Sequence, residues 1–265
     1  PRINAGGRVG KCSHGANLLL NSNPRESFQL ALELEKFNSE RKKLEKDLLN
    51  LVLNTISKNI NDPVFVLQGN NWHEGVIGII ASRIKDKFNK PTIIISLNDK
   101  IGKASARSIP GFDIGTNILS ALQNKLLLKG GGHKMAGGVS IEKDKIKAFK
   151  DFIIKRFKTK DNKNLNRNCL YLDSSISASA VNLNFYEKIE KLSPFGSGNP
   201  EPKFLIENVK VVKSLVVGEI HIKSILLTQD GSTIKTISFN SFQNDLGQFL
   251  LNNKTNTFNI VGKLS

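Results

Sequence analysis

The chain has 265 residues, 39% of them hydrophobic, and carries 39 Lys and Arg against 23 Asp and Glu, a formal net charge of +16. That length suits two modest domains or one with additions, and no stretch approaches the roughly 18–20 uninterrupted apolar residues of a membrane-spanning helix. The two cysteines, Cys12 and Cys169, lie far apart with no CxxC, which offers no disulfide or zinc framework and fits a reducing cytoplasm.

In chain order, the first four residues, PRIN, have no initiator Met and no signal-peptide pattern, and residues 259–265 stop inside what reads as a strand. Both ends look cut, so a piece of a longer protein is expected. Residues 1–22 are glycine-rich and turn apolar at 16–20. Asn23-Pro24-Arg25-Glu26 is a helix start, with a capping side chain, Pro in the first turn and an acidic residue after it. Leu34, Phe37, Leu44, Leu48, Val52 and Ile56 then recur at spacings near three, four and seven, which predicts a helix to about residue 60 acting as a spacer between two bodies. Strand and helix signals alternate next: strand 64–67, helix 75–88, strands 92–95 and 101–107, helix 113–128, strand 136–141 and helix 145–157. This predicts an α/β module with a mixed sheet. Residues 158–168 read as a polar linker.

The last hundred residues change character. A strand at 170–172, a helix at 183–192 and a turn-rich stretch at 194–202 lead into β-type runs at 204–206, 209–217, 221–227, 233–239 and 257–261. Five short strands predict a small OB-type β-barrel, or a truncated one, with a sheet-edge or sandwich arrangement as the alternative.

Net charge of this size invites a nucleic-acid partner, because Lys and Arg gain affinity by displacing counterions from phosphates. Lys outnumbers Arg by 31 to 8, which has the look of compositional bias, so distribution tells more than bulk: +4 over residues 1–61, +10 over 62–160 and +2 over 161–265. The few arginines stand out, since a guanidinium can grip phosphate at two points and an ammonium cannot.

Four segments could carry chemistry. GGGHKMAGG (130–138) wraps five glycines around His133; Gly131 and Gly132 could bring backbone N–H groups to an anion and His133 could donate to a phosphate oxygen, although a tight turn with an incidental His explains the same residues. In GKASARS (102–108), Ser105 and Arg107 alternate by two and share a strand face, a hydroxyl and a guanidinium that could hold phosphate; Lys103 and Ser108 are read as lying on the other face or beyond the strand. A solvated strand end is the plainer reading. PRINAGGR (1–8) places Arg2 and Arg8 in a glycine-rich loop; residues 5–13 fail as a P-loop because the first Gly is Ala5 and the required Ser/Thr is Cys12. In WHEG (72–75), His73-Glu74 lacks the second His of a zinc protease, since position 77 is Ile. Gly75 and Gly78 read as close helix packing, and His73 at a helix start could meet an anion. The four histidines are scattered singly, and no Asp/His cluster for two metals and no nucleophile–base pair is evident. The residues read as a phosphate or nucleic-acid binder without an engine.

PRINAGGR, the long Glu/Lys/Leu helix, NWHEGVIGIIASRI (71–84), GKASARSIPGFD (102–113), GGGHKMAGG and SPFGSGNPEPKF (193–204), in this order, resemble the RecJ family of DHH phosphoesterases. GGGH alone would indicate only a DHHA1 domain; joined to PFGSGNPEP and a β-barrel it is specific to RecJ. SAR stands where many relatives have SGR, and NAGG where many have NAAG. The resemblance implies a 5′–3′ exonuclease of single-stranded DNA in recombination and repair, using Mn²⁺ or Mg²⁺ held by an amino-terminal DHH domain outside this chain, with no metal ligands here. It implies the tail of that domain at 1–22, a connecting helix at 23–61, a DHHA1-type substrate-binding domain at 62–160 and an OB-type single-strand-binding domain at 166–265. His133 would contact the substrate phosphate at the cleft. Ser105 and Arg107 would hold phosphate, with the 5′ end as a candidate, and Arg8 would be a further ligand. Phe204, Phe239 and Phe242 are candidate base platforms. The implied partners are single-stranded DNA, with a single-stranded-DNA-binding protein and a helicase as candidates, and no membrane; the implied state is a monomer. The alternatives are a stand-alone single-strand-binding module without activity and a small-nucleotide phosphodiesterase relative, the latter disfavoured by the barrel.

Overall fold

The computed structural model describes residues 1–57, 60–159, 169–196, 198–253 and 255–265. The chain forms two compact units, Pro1–Asn168 and Cys169–Ser265. Most of the linker expected at 158–168 lies outside the described residues.

The first unit opens with two short helices, α1 (Arg2–Val9), where a glycine-rich loop is expected, and α2 (Ser13–Leu20). Glycine is tolerated here because the helices approach too closely for side chains: a Cβ on Gly6 would stand 2.8 Å from the Lys11 carbonyl oxygen, and one on Gly15 2.9 Å from that of Ile3. The long helix α3 (Pro24–Ile56) starts as predicted, with the Asn23 side chain accepting from the Arg25 N–H. It is a packed element along its length and not a bare spacer. Its first half meets α1 and α2, while Leu48, Val52 and Ile56 enter a core with β1 (Phe65–Asn70), α4 (Glu74–Phe88) and β2 (Thr92–Asn98). The periodicity hid one feature: Asn38 and Glu45 are buried, Glu45 only 3% exposed. Arg41 on the same helix and Arg83 on α4 both pair with the Glu45 carboxylate, clamping α4 to α3.

The sheet of this unit has the order β1-β2-β3-β5-β4, with β3 at Ile101–Arg107, β4 at Lys129–His133 and β5 at Ala136–Glu142. Only β1 and β2 run parallel; the other neighbours are antiparallel, so the sheet is mixed. Ile93, Ile95, Ala104, Ala106, Val139 and Ile141 face α5 (Ile114–Gln123) and α6 (Ile146–Lys158), with Ile118, Phe149 and Ile153 at the centre of that core. The opposite face carries α3 and α4 over β1 and β2 through Phe65, Leu67 and Ile94. Alternation on each strand feeds both layers, which explains the near-continuous apolar runs at 64–67 and 92–95. β4 is a strand that the triple glycine concealed. It pairs with β5 in a hairpin turning at residues 134–135, so successive glycine N–H groups form no nest.

In the second unit β6 is Ser174–Ser175, parallel to the start of β7; residues 170–172 form no strand. α7 (Leu183–Glu190) follows. β7 (Phe204–Val217) is one 14-residue strand where two were predicted. Glu207 and Asn208 break its alternation: Asn208 has φ +55° and its N–H donates to Asn259 Oδ1 at 3.0 Å, opposite a register shift in β10 (Phe258–Gly262). A second shift between Val211 and Lys213 bends β7 again where it meets β8 (His221–Leu227). With β9 (Thr233–Ser238) the order is β10-β7-β8-β9, a curled OB-like half-barrel; among the described residues it does not close. The unpredicted α8 (Asp245–Asn252) covers it. Asn244 caps this helix by accepting from the Gly247 N–H, and a Cβ on Gly247 would sit 1.8 Å from the Ser241 carbonyl oxygen.

Glu45→Ala should lower the unfolding free energy by roughly 3 kcal/mol, because it strands Arg41 in a buried site; Glu45→Gln, which keeps an acceptor, should cost less. Leu226→Ala, at the centre of the half-barrel, should cost roughly 2–5 kcal/mol. Midpoints of chemical unfolding check both.

Candidate functional site

The register across β3, β5 and β4 decides what faces outward where α4 ends its cover of the sheet. Arg107 pairs with Ala136 and Ala136 with His133; Ser105 with Gly138 and Gly138 with Gly131; Lys103 with Ser140 and Ser140 with Lys129. Directly paired residues share a face, so these nine positions form three rows on one side of the sheet. The middle strand contributes only Ala, Gly and Ser. A Cβ on Gly131 would meet nothing within 4 Å, and one on Gly138 only the Ala104 oxygen at 3.8 Å. From these rows Lys103, Ser105, Arg107, Gly138, Ser140 and Lys129 floor an open groove of about 690 Å³, bounded by α1 and the start of α4.

Arg107 is half-buried and its donors are largely committed. Nε donates to Ser82 Oγ (3.2 Å), and Nη1 donates to Ser105 Oγ (3.0 Å) and to the Ala106 carbonyl (2.8 Å). Among the described residues Nη2 has no partner. It lies beside Gly78, where a Cβ would be 3.2 Å from Nη2 and 3.1 Å from Ser105 Oγ. Ser105 accepts from Arg107, so its O–H remains available to donate. Arg8 reaches the same groove from α1, with Nη1 donating to the Gly75 carbonyl at 3.0 Å. A Cβ on Gly75 would stand 1.9 Å from the Arg8 carbonyl oxygen, so that glycine lets α1 dock on α4. Burial first, and the Arg8 charge second, lower the Arg107 pKa from its ordinary value; a guanidinium stays charged all the same. Among the described residues neither arginine has a carboxylate partner. Two like charges and a free hydroxyl thus meet in one concavity, the electrostatic shape of an anion site.

The expected residues divide. Arg8, Ser105 and Arg107 converge. His133 shares the Arg107 row but lies two strands away, roughly 10 Å at ordinary sheet spacing, and stands exposed at the rim without lining the groove. Its Nδ1 accepts from the Met135 N–H at a long 3.4 Å, which in the neutral ring leaves the proton on Nε2, free to donate. Gly131 leaves open space beside Gly138, since a Cβ there would meet nothing within 4 Å. Gly132 serves the hairpin: its Cβ would lie 2.4 Å from the Ala136 oxygen. Gly115 pins the hairpin tip, with His133 backbone atoms 3.0 Å from where its Cβ would be. Lys103 was misread. The period of two that aligns Ser105 with Arg107 also puts Lys103 in the groove, where it pairs with Glu74 at 2.9 Å. Ser108 is buried and donates to the Phe112 carbonyl. Arg2 belongs to an ion pair with Glu35 on α3 and not to a loop beside the groove. His73 caps α4 by accepting from the Gly75 N–H at 3.1 Å. Gly78, read as a close-packing glycine, makes room for Arg107; Ser82, which orients Arg107, was not singled out, and its spacing of four from Gly78 on the α4 face toward β3 is the signal that could have found it.

The half-barrel carries a second surface. Outward positions on β7, β8 and β9 alternate lysines with apolar residues: Lys213 pairs with Ile225 and Ile225 with Lys235, and Leu215 pairs with Lys223 and Lys223 with Ile237. Phe239, 67% exposed, stacks edge-on against His221 just beyond. No carboxylate occupies these rows. Phe204 is buried and Phe242 packs on the core, so of the three candidate platforms only Phe239 is presented to solvent. Among the described residues no three His, Cys, Asp or Glu side chains are grouped to hold a metal ion, so they do not fit one. No helix among them is long and apolar enough to cross a membrane.

Residues 61–159 match the DHHA1 domain and residues 172–265 the RecJ OB domain. The single-stranded-DNA-specific exonuclease RecJ of Haemophilus influenzae is 32% identical over 253 residues, covering 91% of this chain and 44% of that protein. Its Escherichia coli counterpart is 33% identical over 232 residues, covering 84% and 40%. The crystal structure of Thermus thermophilus RecJ in complex with Mn²⁺ superposes with a TM-score of 0.75 at 27% identity, covering 100% of this chain and 37% of that one. The chain spans less than half the length of these relatives. Two matched domains in the same order, relatives aligned over most of the chain and a shared fold lead to one conclusion: the chain belongs to the RecJ family.

Proposed function

We propose that the chain is the substrate-binding portion of a 5′–3′ single-stranded-DNA exonuclease of recombination and repair. The observation that carries this reading is the pair of arginines, Arg8 and Arg107, meeting Ser105 in one groove with neither arginine paired to a carboxylate among the described residues. A terminal phosphate supplies the missing charge. Arg107 Nη2 and Arg8 donate to its oxygens, Ser105 Oγ–H adds a neutral donor, and His133 Nε2–H contacts substrate phosphate from the rim of the cleft. The lysine and apolar rows of the half-barrel, with Phe239, hold the rest of the strand, phosphates on lysines and bases on the apolar positions. Divalent metal, Mn²⁺ or Mg²⁺, belongs in this reading to a DHH-type domain outside the chain and supplies the activated water there. What these residues contribute is binding and orientation, consistent with relatives named single-stranded-DNA-specific exonucleases. A binding module acting without any nuclease is the second reading, favoured by the half-barrel surface alone.

Arg107→Ala should weaken binding of a 5′-phosphorylated oligonucleotide about 10–100-fold, the worth of one charge-assisted hydrogen bond or slightly more. Arg107→Lys should not restore it, since an ammonium cannot satisfy Ser82, Ser105 and the ligand together; equal affinity for 5′-phosphorylated and 5′-hydroxyl strands in the unaltered chain would sink the terminal-phosphate reading. His133→Ala, placed in a complete enzyme, should lower turnover with an unchanged melting temperature, whereas a parallel fall in melting temperature assigns it a structural role. The purified chain with Mn²⁺ should bind single strands without shortening them; degradation would overturn the division of labour.

A further inference from the structure

We infer that the groove holds a second phosphate step, formed by Lys103, Lys129 and Ser140, one row beyond the Arg8, Ser105 and Arg107 grip. The inference rests on the terminal-phosphate reading and names the substrate it selects: a phosphodiester chain over a lone nucleotide. Ser140 is paired with Lys103 on one side and Lys129 on the other, so the hydroxyl sits between two ammonium-bearing strands in a single row. That row is displaced by two residues from the Ser105–Gly138–Gly131 row, roughly 7 Å along the strands, within the reach of one nucleotide of an extended strand. Beside Ser105 its row is bare backbone, since Gly138 and Gly131 present no side chain to obstruct a sugar or base. All three residues line the same groove as Arg8 and Arg107.

Charge and hydration favour this use. Among the described residues Lys129 has no ion-pair partner. Lys103 has one, Glu74, and both members of that pair are well exposed, so the contact is weak and exchangeable. An arriving phosphate takes Lys103 from Glu74, and the carboxylate, in the first turn of α4, turns to solvent. The neutral Ser140 hydroxyl donates to the phosphate between the two cations. Bulk lysine richness does not explain the arrangement, because the register places these residues in line with the arginine grip and the intervening positions are small.

The test titrates the 265-residue chain with 5′-phosphorylated thymidine mononucleotide and with 5′-phosphorylated dithymidine, which carries one further phosphate, from low to physiological salt. The dinucleotide should bind more tightly, with a slope of log affinity against log salt steeper by about 0.7, the signature of one added phosphate on a single strand. Lys129→Gln and Lys103→Gln should each cut the ratio of dinucleotide to mononucleotide affinity about threefold or more, Lys129→Arg should retain it, and Glu74→Gln should raise it; thermal melts confirm that the variants are folded. The second step is overturned if the dinucleotide has no advantage, if the advantage survives both lysine substitutions, or if both ligands lose affinity equally. Failure of the first step reads out separately, as a mononucleotide affinity indifferent to Arg107→Ala.

Discussion

Two guanidinium groups face one groove, neither paired with a carboxylate among the described residues, and much of the first unit can be understood as the cost of keeping them there. Arg107 is half-buried and loses hydration; Arg8 adds like-charge repulsion. The fold offsets this with neutral acceptors: Ser82, Ser105 and the Ala106 carbonyl for one arginine, the Gly75 carbonyl for the other. Neutral acceptors satisfy hydrogen-bonding capacity without cancelling charge, which leaves a site whose remaining deficit is ionic. A site built for stability alone would place an Asp or Glu at one of those positions. The neighbouring buried cluster does so, with Glu45 between Arg41 and Arg83.

Small residues do the complementary work. Gly75 lets α1 reach α4, Gly78 leaves room for the Arg107 guanidinium, and Ala136, Gly138 and Ser140 keep the middle strand low between two strands bearing longer polar side chains. The groove is as much an absence of volume as a presence of charge.

This division explains how much was legible in the sequence. Arg107, Ser105 and Arg8 could be read from residue type and strand period, and the α/β alternation and the capped start of α3 from ordinary propensities. β4 could not, because Gly-Gly-Gly argues against a strand locally; its strand state comes from pairing with β5 and from Gly115 and Ile118 packing behind it. The same holds for α1 and α8, whose glycines are tolerated through tertiary contacts that no local pattern encodes. β7 was split in two because Asn208 interrupts it with a left-handed residue whose N–H is taken up by Asn259, fifty-one residues away. Lys103 shows a different failure: the alternation rule was available and was applied to two residues of the strand when it held for three. The lysine rows of the half-barrel became visible only once β7, β8 and β9 were in register.

Ser82 and Arg83 are adjacent on α4, yet one engages Arg107 over the sheet and the other engages Glu45 on α3. Consecutive helix positions point about 100° apart, so the two contacts fix the roll of α4 about its own axis as two nails fix a plank that one would let swing. A twist of α3 large enough to drag Glu45 would carry Ser82 with it and tilt the plane of the Arg107 guanidinium. The long helix is thereby linked to the Arg107 side of the groove through two adjacent residues of α4, without itself lining the groove.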